Sequence, residues 1–295
     1  MNYNAEIFDK TKHELAESPY YDPRTGIYSW VDITKGQVWT LKDGRKHCFE
    51  LGQRIGAAVP VKDDEGYLFA ATDGLYYYGD GKAKRVLDLT GTYKSYQRSN
   101  DAKADPAGRL YFGCTADDGV HGPEGNLYMT YRPELYSNDS KVTIVQPDTK
   151  IANGMAVSSD RKKFYFSDSV EHAVFKYDYD LETGLLSNRR VLFEIKDGVP
   201  DGLTIDSEDN LWVAVWGGAR IEKRDGVTGD LLGEIKVPAT NTTSCCFAGP
   251  ELKTLFITSS GLDLNGEYDG CLFACEVDAT GVEPDYVILK KIIRT

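Results

Sequence analysis

The chain has 295 residues, 41% of them hydrophobic and 27% charged, with a formal net charge of −12. That length supplies a sizeable core, and 19 Tyr with 11 Phe suit strands better than helices. The acidic balance argues against nucleic acid or an anionic membrane surface as partner, because both are bound by clustered Lys and Arg, and it is compatible with a hard cation.

Met1 to Lys12 is polar and shows neither a signal peptide nor a membrane span, so the expected compartment is the cytoplasm. Within it, Ala5–Phe8 has strand character. From there a short hydrophobic strand core recurs six times, at Ile27-Tyr28, Leu68-Phe69, Leu110-Tyr111, Phe164-Tyr165, Leu211-Trp212 and Leu255-Phe256, with steps of 41, 42, 54, 47 and 44 residues. Turn signals such as Asp22-Pro-Arg-Thr-Gly26, Asp43-Gly44, Asp105-Pro-Ala-Gly108 and Thr183-Gly184 punctuate the intervals. Repetition of a four-stranded unit at this period predicts an all-β, six-bladed β-propeller with a central channel, formed as a single domain over residues 1–295. The first strand is expected to close the last blade by pairing with a late strand such as Tyr286–Leu289, because an open ring would leave strand edges unpaired. The long third step contains Asp117 to Asn126, a stretch expected to form a loop at one mouth of the channel, either a lid or a plain surface loop.

A propeller brings the equivalent position of each repeat to one axis. About ten residues before each echo stand Glu17, Ala58, Asn100, Asn153, Asp201 and Cys245. Asn-Gly and Asp-Gly are common turn formers and Arg98 alone is an ordinary surface cation, but four oxygen donors at one shared offset point to a common role. Two carboxylates and two amides, without His or Cys, suit one divalent cation: Ca²⁺ or Mg²⁺, with Mn²⁺ or Zn²⁺ tolerated. The six cysteines read as reduced buried thiols, the four histidines fall in turn or surface-like contexts, and the sequons at Asn138 and Asn241 read as chance matches.

The segments Glu17-Ser-Pro-Tyr20, Arg98-Ser-Asn-Asp101, Asn153-Gly154 with Asp168-Ser169, Pro200-Asp-Gly202 with Leu211-Trp-Val-Ala214, and Thr242-Thr-Ser-Cys-Cys-Phe247 resemble the SMP-30/gluconolactonase/regucalcin family over about residues 15 to 260. The resemblance implies a propeller that binds one divalent cation in its channel and hydrolyses sugar lactones. It implies Glu17, Asn153 and Asp201 as metal ligands, Asn100 beside the metal holding water or substrate, and Arg98 on substrate hydroxyls. Asp118 is matched to an acidic lid residue. Asp201 is read as the general base. Two other classes stay open: a non-catalytic Ca²⁺-binding regulatory protein, and a phosphotriesterase or arylesterase, whose site would be more apolar. The expected partner is a small sugar lactone; oligomeric state is left open.

Overall fold

The structure is a computed structural model that describes residues 2–130 and 142–289. Two short strands, β1 (Asn2–Asn4) and β2 (Glu6–Asp9), open the chain. Blade 1 follows as β3 (Ala16–Asp22), β4 (Ile27–Asp32), β5 (Gln37–Lys42) and β6 (Arg45–Glu50). Blade 2 is β7 (Ile55–Pro60), β8 (Tyr67–Ala71), β9 (Gly74–Gly79) and β10 (Lys82–Asp88), and blade 3 is β11 (Gln97–Ala104), β12 (Leu110–Ala116), β13 (Gly125–Thr130) and β14 (Val142–Thr149). Blade 4 comprises β15 (Ala152–Val157), β16 (Lys163–Asp168), β17 (Ala173–Tyr179) and β18 (Leu186–Glu194). Blade 5 comprises β19 (Val199–Ile205), β20 (Leu211–Trp216), β21 (Arg220–Arg224) and β22 (Leu231–Lys236); β23 (Asn241–Ala248), β24 (Thr254–Ser260) and β25 (Leu272–Glu276) belong to blade 6. The consecutive strands of each blade form an antiparallel meander, and no helix occurs among the described residues: the molecule is an all-β, six-bladed propeller.

The first strand of each blade lies innermost, and these six strands neighbour one another in a closed ring, β3 to β7, β11, β15, β19, β23 and back to β3. Six hydrophobic clusters fill the six spaces between adjacent blades. Each second strand is therefore buried on both faces, which is why its sequence is a continuous apolar run such as Leu211–Val215. Successive side chains point to opposite interfaces: Leu110 packs between blades 2 and 3, Tyr111 between blades 3 and 4. In blade 2 the pair with this orientation is Tyr67-Leu68, one residue before the echo read from sequence.

Ring closure differs from expectation. Blade 6 is completed by β2, which pairs antiparallel with β25, and β1 adds parallel to β22 at the outer edge of blade 5. Tyr286–Leu289 does not meet the N-terminal strand. Val287 bridges Val61 in blade 2, and the Ile288 amide donates to Gly108 O, so the C-terminal segment crosses the end of the propeller where the inner strands finish. There Val282–Asp285 cover a small cavity lined by Tyr20, Lys103, Thr204 and Cys246, and the Tyr20 hydroxyl hydrogen-bonds the Asp285 carbonyl.

Smaller expectations are also corrected. Five cysteines are buried but Cys48 is exposed; all six are free. His13 is buried rather than surface-like: it accepts from Trp30 Nε1 at 3.2 Å and lies 3.6 Å from Asp32. Asn241 is buried in β23, and Asn138 lies outside the described residues.

All six innermost strands carry a register shift near the same level, at Glu17/Tyr20, Ile55/Ala57, Ser99/Ala102, Ala152/Met155, Pro200/Leu203 and Thr242/Ser244. Bulges re-aim side chains, and here they turn one residue out of the ladder in blades 2 and 6 and two in each of the others, Ser18-Pro19, Asn100-Asp101, Asn153-Gly154 and Asp201-Gly202. The bulged residues of blades 2 and 6 are Gly56 and Thr243, not the Ala58 and Cys245 obtained by a fixed count, because the bulges absorb unequal numbers of residues. Backbones crowd at this level: a Cβ on Gly56 would overlap the carbonyl oxygen of Asn100, and one on Gly154 would lie 2.5 Å from the Leu203 nitrogen. Asn153-Gly154 and Asp201-Gly202 thus sit inside strands, where glycine admits the neighbouring strand, rather than in turns. Gly56→Ala is expected to cost about 1–3 kcal/mol through overpacking, read as a lower midpoint in chemical denaturation; an unchanged midpoint would show that the inner ring can relax.

Candidate functional site

The bulges of blades 3, 4 and 5 bring Asn100, Asn153 and Asp201 to one level of the axis, where Glu17, the last paired residue before the bulge of blade 1, joins them. All four line a cavity of about 250 Å³ that opens at the end where the inner strands begin. Each is almost fully buried, at 6%, 6%, 4% and 4% exposure respectively. Arg98 and Ser169 share the cavity. Beside Glu17, Ser18 is held at φ 49°, a left-handed conformation that costs a non-glycine residue energy and is sustained by the bulge.

One hydrogen-bonded chain fixes the amides. Arg98 Nη1 donates to Asn100 Oδ1 at 2.6 Å and to Ser99 O at 2.9 Å. Asn100 Nδ2 donates to Asn153 Oδ1 at 3.1 Å and to Ala152 O at 2.9 Å. Asn153 Nδ2 donates to Ser169 Oγ at 2.8 Å, and Ser169 Oγ donates to Pro200 O at 2.8 Å. Arginine only donates and a carbonyl only accepts, so the polarity of the whole chain is forced from both ends. Both asparagine amides can be oriented in only one way, and the Asn153 oxygen is held on the side of Asn100.

The carboxylates stand outside this chain; Glu17 Oε2 accepts the Ser18 amide at 3.1 Å. Burial pushes Glu17 well above the usual carboxylate range, and the charges of Asp201 and Asp101 push it further. Asp201 is raised in the same way by burial and then by Asp101, with Arg98 opposing the shift. Asp101 itself is pushed up to about 6 by burial, against the pull of Lys103. Asp201 Oδ1 is buried without a hydrogen-bond partner. Unsatisfied buried oxygens of this kind are uncommon and ask for an explanation. A hard dication answers it: it would compensate both carboxylates, fill the open valence of Asp201 Oδ1 and use the amide oxygen of Asn153. The donor set therefore fits the expected group. Among the described residues, no cluster of three or more His, Cys, Asp and Glu side chains is disposed to hold a metal; the expected set contains only two carboxylates, its third member being an amide.

Asp118 stands apart from this site. It lies on an exposed turn, where its Oδ2 is 2.7 Å from His121 Nδ1 and its Oδ1 accepts the amides of Val120 and His121. His121 in turn stacks on Tyr96, with centroids 3.7 Å apart. The residue of this loop that reaches the site is Asp117, which accepts from Arg98 Nε at 3.1 Å and also pairs with Arg54. The loop proper spans 117–124, since Gly125 and Asn126 begin β13. Sequence reasoning also missed the cavity's apolar half: Leu15, Ile151, Val199, Trp216 and Leu262. Three of these precede a donor by two residues, a spacing legible in the sequence; Trp216 and Leu262 had no such signal.

Fold and site together define a six-bladed propeller with a buried oxygen-donor pocket at one end of its axis. The profile described as SMP-30/Gluconolactonase/LRE-like region matches residues 15–261, and the chain belongs to that family. It is 33% identical over 290 residues to Pentonolactonase XacC of Haloferax volcanii, covering 92% of this chain and 94% of that protein. It is 32% identical over 277 residues to the regucalcin of Danio rerio, covering 89% and 88%. The crystal structure of a calcium-binding protein, regucalcin, from Agrobacterium tumefaciens superposes with a TM-score of 0.88 at 25% identity, covering 99% of both chains. Among the described residues no helix is long and apolar enough to cross a membrane.

The raised carboxyls fix a pH dependence. With no cation bound, the folded protein keeps protons that the unfolded chain has already released, so stability falls as pH rises from the ordinary carboxylate range through the raised values. In chelator, the thermal midpoint should be lower at about pH 8 than at about pH 5, and a divalent cation should offset the difference. Asp201→Asn should raise the chelated protein's midpoint at the higher pH. A chelated midpoint that does not fall between the two conditions would contradict this electrostatic account.

Proposed function

We propose that the chain, working as one propeller domain over residues 1–295, is a lactonase that hydrolyses sugar lactones to aldonic acids with the aid of one divalent cation. The single observation that carries this reading is the pair of buried carboxylates, Glu17 and Asp201, left without a cationic partner beside an oriented amide and an arginine in one open cavity. Kinship with a pentonolactonase and membership of a family whose description includes gluconolactonase support the same chemistry. The six free cysteines support a reducing compartment, which accords with the cytoplasm.

Glu17, Asn153 and Asp201 would hold the cation, with Ca²⁺, Zn²⁺, Mg²⁺ and Mn²⁺ as the candidates for an oxygen donor set. Bound there, such a cation supplies Lewis acidity that polarises a lactone carbonyl and makes water more acidic. Asp201 acts as the general base. Its carboxylate, kept ionised when the site is loaded, takes a proton from water as the water oxygen adds to the carbonyl carbon. The ring C–O bond then breaks, and the same proton passes from Asp201 to the departing ring oxygen, which becomes the free hydroxyl of the aldonic acid. Arg98 holds substrate hydroxyls. Its guanidinium is available for this because Asp117 and Asn100 fix its Nε and Nη1, leaving Nη2 uncommitted among the hydrogen bonds of this network. Asn100 keeps the Asn153 oxygen turned toward the site. Burial at this depth limits bulk water, which favours reaction of the positioned molecule.

Hydrolysis of gluconolactone and of pentonolactones, followed by proton release with each of the four cations, should exceed the spontaneous rate and disappear on chelation. Asp201→Ala should lower kcat by at least about 10²-fold with an unchanged far-ultraviolet circular dichroism spectrum. Near-normal turnover in that variant would remove Asp201 from the role of base, and metal binding without turnover on any lactone would favour a non-catalytic calcium-binding protein.

A further inference from the structure

The cavity is two-sided. The residue two positions before each donor stands at or just before the start of the inner strand, up to about 7 Å nearer the mouth, and these residues form a second layer there. That layer is Leu15 before Glu17, Arg98 before Asn100, Ile151 before Asn153 and Val199 before Asp201, and all four line the cavity. Trp216 pairs with Val199 across β19 and β20, and the Leu262 amide donates to Glu14 O beside Leu15, so both extend the same hydrocarbon wall. The mouth layer thus presents Leu15, Ile151, Val199, Trp216 and Leu262 around most of its circumference. Arg98 and Ser169 supply the polar groups beside this wall; Ser169 Oγ is engaged with Asn153 and Pro200, and three Arg98 donor positions are already committed to Asp117, Ser99 and Asn100.

A molecule whose carbonyl reaches the donor layer must leave the rest of its body in this mouth layer. Hydroxyl groups beside the carbonyl meet Arg98. A hydroxyl at the far end, turned against Leu or Val side chains, loses water and gains no partner, which is unfavourable. We infer that the substrate is an amphipathic lactone, hydroxylated on the edge next to the carbonyl and bare or methyl-terminated at its distal end: a five-carbon aldono-1,5-lactone, whose C5 is an unsubstituted ring methylene, or a terminally deoxygenated six-carbon lactone, in preference to a fully hydroxylated hexonolactone. Trp216 offers its ring to the C–H face of such a compound, and Val199 and Leu262 exclude the distal hydroxyl. These are specificity-determining residues, and the inference rests on the lactonase reading.

The test uses the full chain with its activating cation and two lactones of the same configuration that differ only in the terminal hydroxyl, L-rhamnono-1,4-lactone and L-mannono-1,4-lactone. The ratio of their kcat/KM values should favour the deoxy compound by roughly 10- to 100-fold, the discrimination a hydrocarbon pocket gives against one added hydroxyl. The isosteric change Val199→Thr, and separately Leu262→Ser, should bring the ratio toward one by raising turnover of the mannono compound. A wild-type ratio near one, or a ratio unmoved in both variants, overturns the inference and leaves the lactonase reading standing. If neither lactone nor gluconolactone is hydrolysed above the spontaneous rate, the lactonase reading fails and takes this inference with it.

Discussion

Six strands converging on one axis leave little room for anything but backbone, and the site follows from how the chain solves that crowding. Each innermost strand breaks its ladder with a bulge at nearly the same level, and the glycines at 56, 154 and 202 allow neighbouring strands to approach where a Cβ would collide. A bulged residue leaves the alternation of the strand, so its side chain can turn toward the axis instead of into an interblade core. Asn100, Asn153 and Asp201 stand at three of those six positions and Glu17 immediately before a fourth, and their oxygens become a pocket. The other two, Gly56 and Thr243, serve the ring itself: Gly56 by its missing side chain, Thr243 by a 2.6 Å hydrogen bond to the Ala16 carbonyl of the next blade.

The pocket stores unfavourable electrostatics that the scaffold supports. Two carboxyls removed from water with no ion-pair partner destabilise the folded state when they are ionised. The six interblade cores and the locking of blade 6 by β2 supply the stability that tolerates this. Such local cost at a functional site, offset elsewhere in the fold, is the usual exchange between stability and activity. The polarised chain from Arg98 to the Pro200 carbonyl complements it, since it holds both amides in one orientation without calling on the carboxylates.

The two ends of the axis are treated differently. At one, the C-terminal segment lies across the finishing ends of the inner strands and bonds to blades 2 and 3. At the other, the 117–124 loop meets Arg98 through Asp117, while the His121–Tyr96 stack and the bonds from Lys94 and Tyr96 to Glu124 fasten it outside the cavity. The loop therefore acts on the site through the orientation of Arg98.

The repeat period was enough to fix the six-bladed all-β fold, because two-sided burial of every second strand writes the same apolar run into each blade. Glu17, Asn100, Asn153 and Asp201 were legible for a related reason: the bulge recurs in each repeat, so the donors keep nearly one spacing from that run. Counting failed at Gly56 and Thr243, where the bulges take up different numbers of residues; Asp118 came from the family resemblance, while it is its neighbour Asp117 that meets Arg98, and adjacent residues in a loop carry no period that says which one turns inward. Tertiary structure alone decided that β25 rather than Tyr286–Leu289 receives the N-terminal strand, that His13 is buried between Trp30 and Asp32, and that Trp216 and Leu262 join Leu15, Ile151 and Val199 as the wall of the cavity. Local sequence specifies which residues share a strand face; which distant faces meet is settled only when the ring closes and each strand end finds its neighbour.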